Sequence, residues 1–166
     1  QNPHRKVVMT VGGDDSLGGN APNDAAIGVT SFSSKQGLRD EAPMNIPRWY
    51  PTGTTMPDGS IVVQGGSLRG GPGGPGVLTP EVYRPDEGNG WTLLTGATSA
   101  AAYGDGGGGQ PDENRWWYPR AFVAPGSGTL FNISGTQMFE LDPSGDGELT
   151  LRGTLPANVA DQGANG

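Results

Sequence analysis

The chain has 166 residues, and 31 Gly together with 15 Pro make more than a quarter of it turn-favouring, while four Trp, four Tyr and four Phe argue against a disordered chain. Seventeen acidic residues against ten basic ones give a net charge of -7, which excludes the phosphate backbone of a nucleic acid as a partner. The absence of Cys excludes disulfides and thiolate metal sites, and no apolar run approaches the ~20 residues of a membrane-spanning helix.

The apolar residues occur in short runs between Gly and Pro, a pattern that predicts an all-β chain. No window of a dozen residues shows helical spacing without an interrupting Gly or Pro. The first predicted strand spans residues 6–11 and is followed by Gly12-Gly13, and a further strand spans residues 25–32. We interpret residues 1–45 as an incomplete unit that lacks its innermost strand.

A complete unit is predicted over residues 46–96. A tight turn at residues 56–59 joins two strands, and Gly65-Gly66 ends the second of them. Two shorter strands follow a glycine-rich stretch. The four predicted strands are residues 50–55, 60–64, 79–83 and 91–94.

The same pattern returns over residues 112–155, and it predicts a partial kelch-type β-propeller of about two to three four-stranded blades. The four strands here are residues 117–123, 129–133, 137–141 and 148–152. Gly13 and Gly66 are 53 residues apart, close to the ~50 residues of a kelch repeat. Because propellers close with ~4 to 8 blades, we expect the partner to be the remainder of a propeller or neighbouring copies of this chain.

Several motifs carry a resemblance to a known family. Residues 45–52 contain Pro-Arg-Trp-Tyr-Pro, and residues 56–67 contain Pro-Asp-Gly followed by Gly-Gly. Together they resemble the kelch propeller of the galactose oxidase and glyoxal oxidase family, the copper radical oxidases. Residues 117–125 and 138–147 are similar to bacterial members.

The resemblance implies a copper ion held by two tyrosines and two histidines, with one tyrosine cross-linked to a cysteine. Tyr50 matches that tyrosine and is the predicted metal ligand and catalytic residue, and Arg115 or Arg120 matches the substrate-binding arginine by approximate position. The cysteine is absent, His4 lies outside any motif, and Leu68 replaces a stacking aromatic residue. Copper is therefore expected in the intact parent and not on this chain alone.

Two functions follow as expectations. In the first, the chain is a segment of a secreted oxidase that converts alcohols or aldehydes with O2 and releases H2O2, the segment itself being inactive. In the second, it is a non-catalytic structural or glycan-binding module, such as an extracellular fibre subunit that assembles through open blade edges. For Arg115 and Arg120, pairing with an acidic neighbour is the alternative to a role in binding substrate.

Overall fold

The computed structural model describes residues 7–15, 25–69, 74–88, 90–104 and 115–156. Within these ranges the chain forms eleven strands and one α-helix, α1, with a short 3-10 helix before it. The elements are β1 (Val8–Val11), β2 (Val29–Ser33), β3 (Gly37–Asp40), β4 (Trp49–Thr55), β5 (Ile61–Ser67), β6 (Glu81–Tyr83), β7 (Trp91–Leu93), the 3-10 helix (Thr95–Ala97), α1 (Ala100–Tyr103), β8 (Arg120–Val123), β9 (Leu130–Ser134), β10 (Gln137–Asp142) and β11 (Glu148–Thr154).

The described strands form three antiparallel sheets, each built from strands that follow one another in the chain. The orders are β1-β2-β3, β4-β5-β6-β7 and β8-β9-β10-β11. Each consecutive pair within a sheet is antiparallel. This architecture confirms the predicted all-β class and agrees with a partial β-propeller. The division into units 1–45, 46–96 and 112–155 stays a prediction.

Several local features differ from the sequence-based expectation, among them the strand predicted over residues 117–123, which begins only at Arg120. The strand β3 and the four-residue helix α1 were not expected; α1 begins where the Ser99 hydroxyl accepts a hydrogen bond from the Ala102 N–H. The strand β5 runs through Gly65 and Gly66 to Ser67 and does not end at the glycine pair. Left-handed glycine backbone there keeps β5 beside β4, a conformation that glycine adopts at little cost.

Apolar side chains of neighbouring sheets pack against one another. The first and second sheets enclose Met9, Val11, Val29, Met44, Ile61, Val63, Tyr83 and Trp91. The second and third sheets enclose Met56, Val62, Val82, Leu94, Ala97, Val123, Leu130, Leu141 and Leu149. The middle sheet is therefore buried on both faces, and burial of this apolar surface holds the three sheets together.

One backbone contact occurs twice between neighbouring sheets. The Gly13 N–H donates to the Arg48 carbonyl at 2.9 Å, and the Gly66 N–H donates to the Trp116 carbonyl at 2.8 Å. A Cβ at Gly65 would lie 2.5 Å from that Trp116 carbonyl oxygen and would overlap the ring of Pro119. Each glycine pair thus lets the residues that lead into the first strand of the next sheet approach closely.

Candidate functional site

Two Trp-Tyr-Pro segments, residues 49–51 and 117–119, meet beside this contact. Their tyrosines, Tyr50 with φ 58° and Tyr118 with φ 43°, are the two non-glycine residues with positive φ in the described part of the chain. A bulky side chain in left-handed backbone costs roughly 1–2 kcal/mol. Backbone strain of this kind concentrates at functional sites, which makes the pair the first candidate.

The rings of these segments form a stack. The centroids of Trp49 and Tyr50 are 3.6 Å apart with an interplanar angle of 16°, and those of Tyr50 and Tyr118 are 4.9 Å apart at 19°. Adjacent side chains of a regular strand point to opposite faces, so the positive φ of Tyr50 accounts for its ring lying against Trp49. Tyr50 is 37% exposed and Tyr118 46% exposed, so both phenols reach solvent.

Trp117 closes the side of the stack. Its ring centroid lies 6.2 Å from those of Trp49 and Tyr50, tilted by 59° to each. Its indole Nε1 is buried and has no hydrogen-bond acceptor among the residues that the structure describes, as is also true of Nε1 of Trp116. The cluster therefore holds buried donors that an acceptor group, such as a water molecule, would satisfy.

The surroundings of Tyr118 in the stack raise the pKa of its phenol. Burial raises the pKa of its phenol, and repulsion from an ionised Tyr50 raises the pKa further. The two residues are also joined through the backbone, since the Tyr118 N–H donates to the Tyr50 carbonyl at 3.2 Å. At neutral pH the Tyr118 phenol is uncharged.

A buried ion pair anchors the strand that carries Tyr50. Arg48 and Glu81 are both fully buried, and Nη2 of Arg48 lies 2.9 Å from Oε1 of Glu81. The guanidinium also donates to the carbonyls of Gly65 at 2.8 Å and Thr79 at 2.6 Å. Burial lowers the pKa of Arg48, and the charge of Glu81 raises it. The Arg in the Arg-Trp-Tyr motif therefore fixes the start of β4.

A second buried contact lies beneath the glycine pair. The Tyr103 hydroxyl donates to Oε1 of Gln64 at 2.7 Å, and both side chains are fully buried. Burial raises the pKa of Tyr103, while the positive charge of Arg48 lowers it. This contact ties α1 to β5 just before Gly65 and Gly66.

The structure places the predicted site residues as follows. Tyr50 lies in the stack, whereas Arg120 is exposed at the start of β8 opposite Ile133. Arg115 is half-buried, and its Nη2 donates to the Ala100 carbonyl at 3.5 Å. Leu68 is 41% exposed. The roles of Tyr50, Arg115 and Arg120 stay predictions, and His4 lies outside the described residues.

The sequence analysis missed Tyr118 and Trp117 as neighbours of Tyr50. The signal was the repeated Trp-Tyr-Pro, which occurs at residues 49–51 and again at 117–119. Its meaning depends on the start of β4 and the segment just before β8, which belong to different sheets, lying side by side. No spacing rule within one strand indicates that their rings touch.

The described residues do not by themselves fit a copper ion. They contain no group of three or more His, Cys, Asp or Glu side chains arranged to hold a metal. Tyr50 offers one oxygen ligand, and copper(II) sites need several nitrogen, oxygen or sulfur ligands. We therefore derive no reaction step through copper from this chain.

Comparison with known proteins supports the fold. No family model matches the chain, and no curated protein matches it. A solved fungal alcohol oxidase, described as novel and catalytically diverse among the AA5 family and determined in complex with copper, matches with a TM-score of 0.68 and 21% identity. The match covers 91% of this chain and 28% of that structure, so this chain spans just over a quarter of its neighbour. At this identity the likeness shows a shared fold. No described helix is long and apolar enough to cross a membrane.

Proposed function

We propose that the chain is a segment of the kelch-type propeller of a secreted, bacterial-type copper radical oxidase. The intact parent transfers two electrons and two protons from an alcohol or aldehyde hydrate to O2, releasing H2O2. The observation that carries this proposal is the Tyr50 phenol, held on strained backbone between the rings of Trp49 and Tyr118. The shared fold with an alcohol oxidase that binds copper supports it.

In this proposal Tyr50 is the catalytic residue of the segment and one of the copper ligands in the intact parent. A phenolate oxygen is an anionic donor suited to copper(II). The exposed edge of Tyr50 leaves its hydroxyl accessible to groups from outside the segment. Arg115 and Arg120 lie just before and just after Trp116–Pro119, close in sequence to the stack, where a guanidinium donates to substrate hydroxyls.

The test compares the intact parent with the isolated segment. Loaded with copper and supplied with simple sugars, alcohols or aldehydes, the parent should release peroxide, and Tyr50→Phe should abolish release because phenylalanine has no oxygen ligand. Tyr83→Phe is the matched control, since that tyrosine packs between the first two sheets. An intact parent that releases no peroxide contradicts the oxidase proposal. Peroxide from residues 1–166 alone contradicts the proposed incompleteness of the segment.

A second candidate is favoured by an open sheet face. Val8, Phe32 and Leu38 are opposite one another across β1, β2 and β3, and they are 68%, 49% and 75% exposed. Phe122, at the other end of the molecule on β8, is 55% exposed. The corresponding row on the middle sheet, Ile61-Tyr83-Trp91, packs against the first sheet. Exposed apolar rows of this kind suit a structural or glycan-binding module that assembles extracellularly into fibres.

This candidate makes a different prediction about the purified chain. It should form concentration-dependent assemblies visible by electron microscopy and retain no copper. Retention of copper with a constant molecular mass contradicts it.

A further inference from the structure

We infer that Tyr118 is a positioning residue, which holds the ring of Tyr50 in its stacked orientation. The inference rests on the proposed function only for the importance of Tyr50. The contact itself is a property of this chain, and it is tested without copper.

Both rings depend on unusual backbone. Positive φ at Tyr50 turns its ring out of the alternating pattern of β4, and positive φ at Tyr118 occurs at the matching position of the other Trp-Tyr-Pro segment. The two rings then lie nearly parallel, at 19°. With Trp49 on one face and Tyr118 on the other, the Tyr50 ring has neighbours on both sides.

Backbone hydrogen bonds also hold the segment around Tyr118 against β4 and β5. The Tyr118 N–H donates to the Tyr50 carbonyl, and the Gly66 N–H donates to the Trp116 carbonyl. Gly65 packs directly against Pro119, the residue after Tyr118. Tyr118 is therefore held in place by its own hydrogen bond to β4 and by the contacts of its neighbours Trp116 and Pro119 with β5.

Positioning by Tyr118 is separable from stability. Tyr118 is exposed over nearly half of its surface and belongs to no apolar cluster of the described residues. Its stacking energy is offset by the backbone strain that its conformation carries. Loss of the ring should therefore change the order of Tyr50 much more than it changes the stability of the fold.

The experiment uses NMR of the full chain with ring-labelled tyrosine. Between two aromatic faces, the Tyr50 ring resonances should be shifted upfield, and Tyr118→Phe should preserve that shift because it keeps the ring. Tyr118→Gly should move the Tyr50 resonances downfield, while the unfolding midpoint stays close to that of the unmodified chain because glycine tolerates positive φ. If Tyr118→Gly does not fold, Tyr118→Asn takes its place in the experiment, because asparagine also tolerates positive φ.

Tyr83→Phe serves as the matched control and should leave the Tyr50 resonances in place. Unchanged Tyr50 resonances in folded Tyr118→Gly overturn the inference, as does loss of the upfield shift in Tyr118→Phe. A parent that releases no peroxide while the Tyr118→Gly shift appears would overturn the proposed function and leave the positioning contact standing. The two failures are therefore distinguishable.

Discussion

Tyr50 and Tyr118 each have a positive φ, and this backbone conformation determines where their rings lie. Regular strand geometry would send the Tyr50 ring away from Trp49, whereas left-handed backbone at Tyr50 brings the two ring centroids to 3.6 Å. The cost is offset by stacking and by the backbone hydrogen bond between the two segments. The phenols are consequently held near one another at the surface.

The coupling of these phenols predicts a pH-dependent effect. In Tyr50→Phe the pKa of Tyr118 should fall toward its ordinary value, because an ionised neighbour no longer repels the Tyr118 phenolate. The pKa should stay somewhat raised, since burial is the larger cause. Alkaline titration of phenolate absorbance, compared with Tyr83→Phe, measures the shift.

The sign of the linked stability change follows from the raised pKa. Below the ordinary tyrosine pKa of about 10, Tyr118 is neutral in both states and stability is unaffected. Above it, the unfolded chain loses its proton first, so the free energy of unfolding falls as pH rises. Tyr50→Phe should make that alkaline fall shallower, and an identical fall in the variant would contradict the coupling.

At the scale of elements, the glycine pair sets how closely two sheets approach. Gly65→Ala should destabilise the fold by clearly more than the ~1 kcal/mol expected for positive φ alone, because its Cβ would meet Trp116 and Pro119. Gly37→Ala is the matched control, since it has φ 69° and open space around the added Cβ. Urea unfolding measures the free energy of unfolding that each variant loses. Equal losses would show that the structure accommodates the added Cβ at Gly65 with little cost, which would contradict the prediction.

Corresponding buried positions in the second and third sheets carry different kinds of residue pair. The register of β8 with β9 and of β4 with β5 places Trp116 where the second sheet has Arg48, and Phe139 where it has Glu81. Trp116 and Phe139 lie in one apolar cluster, whereas Arg48 and Glu81 form a buried ion pair. The fold therefore accepts either an apolar or an ionic pair at this position.

This equivalence yields a prediction for the ion pair. Arg48→Met and Glu81→Leu should each lower the free energy of unfolding by about 3–5 kcal/mol, because each leaves a buried charge without its partner. The double variant should lose much less than the sum, since apolar side chains fill the corresponding position of the third sheet. Denaturant unfolding of the three variants measures the coupling, and additive losses would contradict it.

At the scale of the molecule, burial is unequal among the three sheets. The middle sheet is covered on both faces, whereas the first sheet leaves its Val8-Phe32-Leu38 row in solvent. An apolar row of this size favours contact with another sheet. The proposal that the remainder of a propeller or neighbouring copies cover it follows from this asymmetry.

Association should therefore depend on that row. Phe32→Ser combined with Leu38→Ser should reduce concentration-dependent association of the chain, because it removes apolar surface that contact would bury. Leu68→Ser, which changes a leucine that is 41% exposed outside this row, is the control and should leave association unchanged. Light scattering measures both, and a constant mass of 17.0 kDa for the unmodified chain would contradict association through copies.

Local chemistry was sufficient to predict much of the architecture. Turn residues at 56–59 and the short apolar run that follows them predicted the hairpin of β4 and β5 to within three residues of its observed ends. The strand β3 escaped prediction because Gly37–Asp40 is fully exposed and carries no alternating apolar pattern. Its pairing with β2 supplies the stabilisation that its own sequence lacks.

The sequence by itself determined the all-β class and the succession of hairpins, because both depend on residues that are neighbours along the chain. Only the tertiary structure decided that Tyr118 stacks on Tyr50 and that Glu81 pairs with Arg48. These contacts join residues 68 and 33 positions apart, and they arise from inter-sheet packing and strand register. Such distances in sequence leave no local pattern, since the free energy that brings the residues together comes from burial between the sheets.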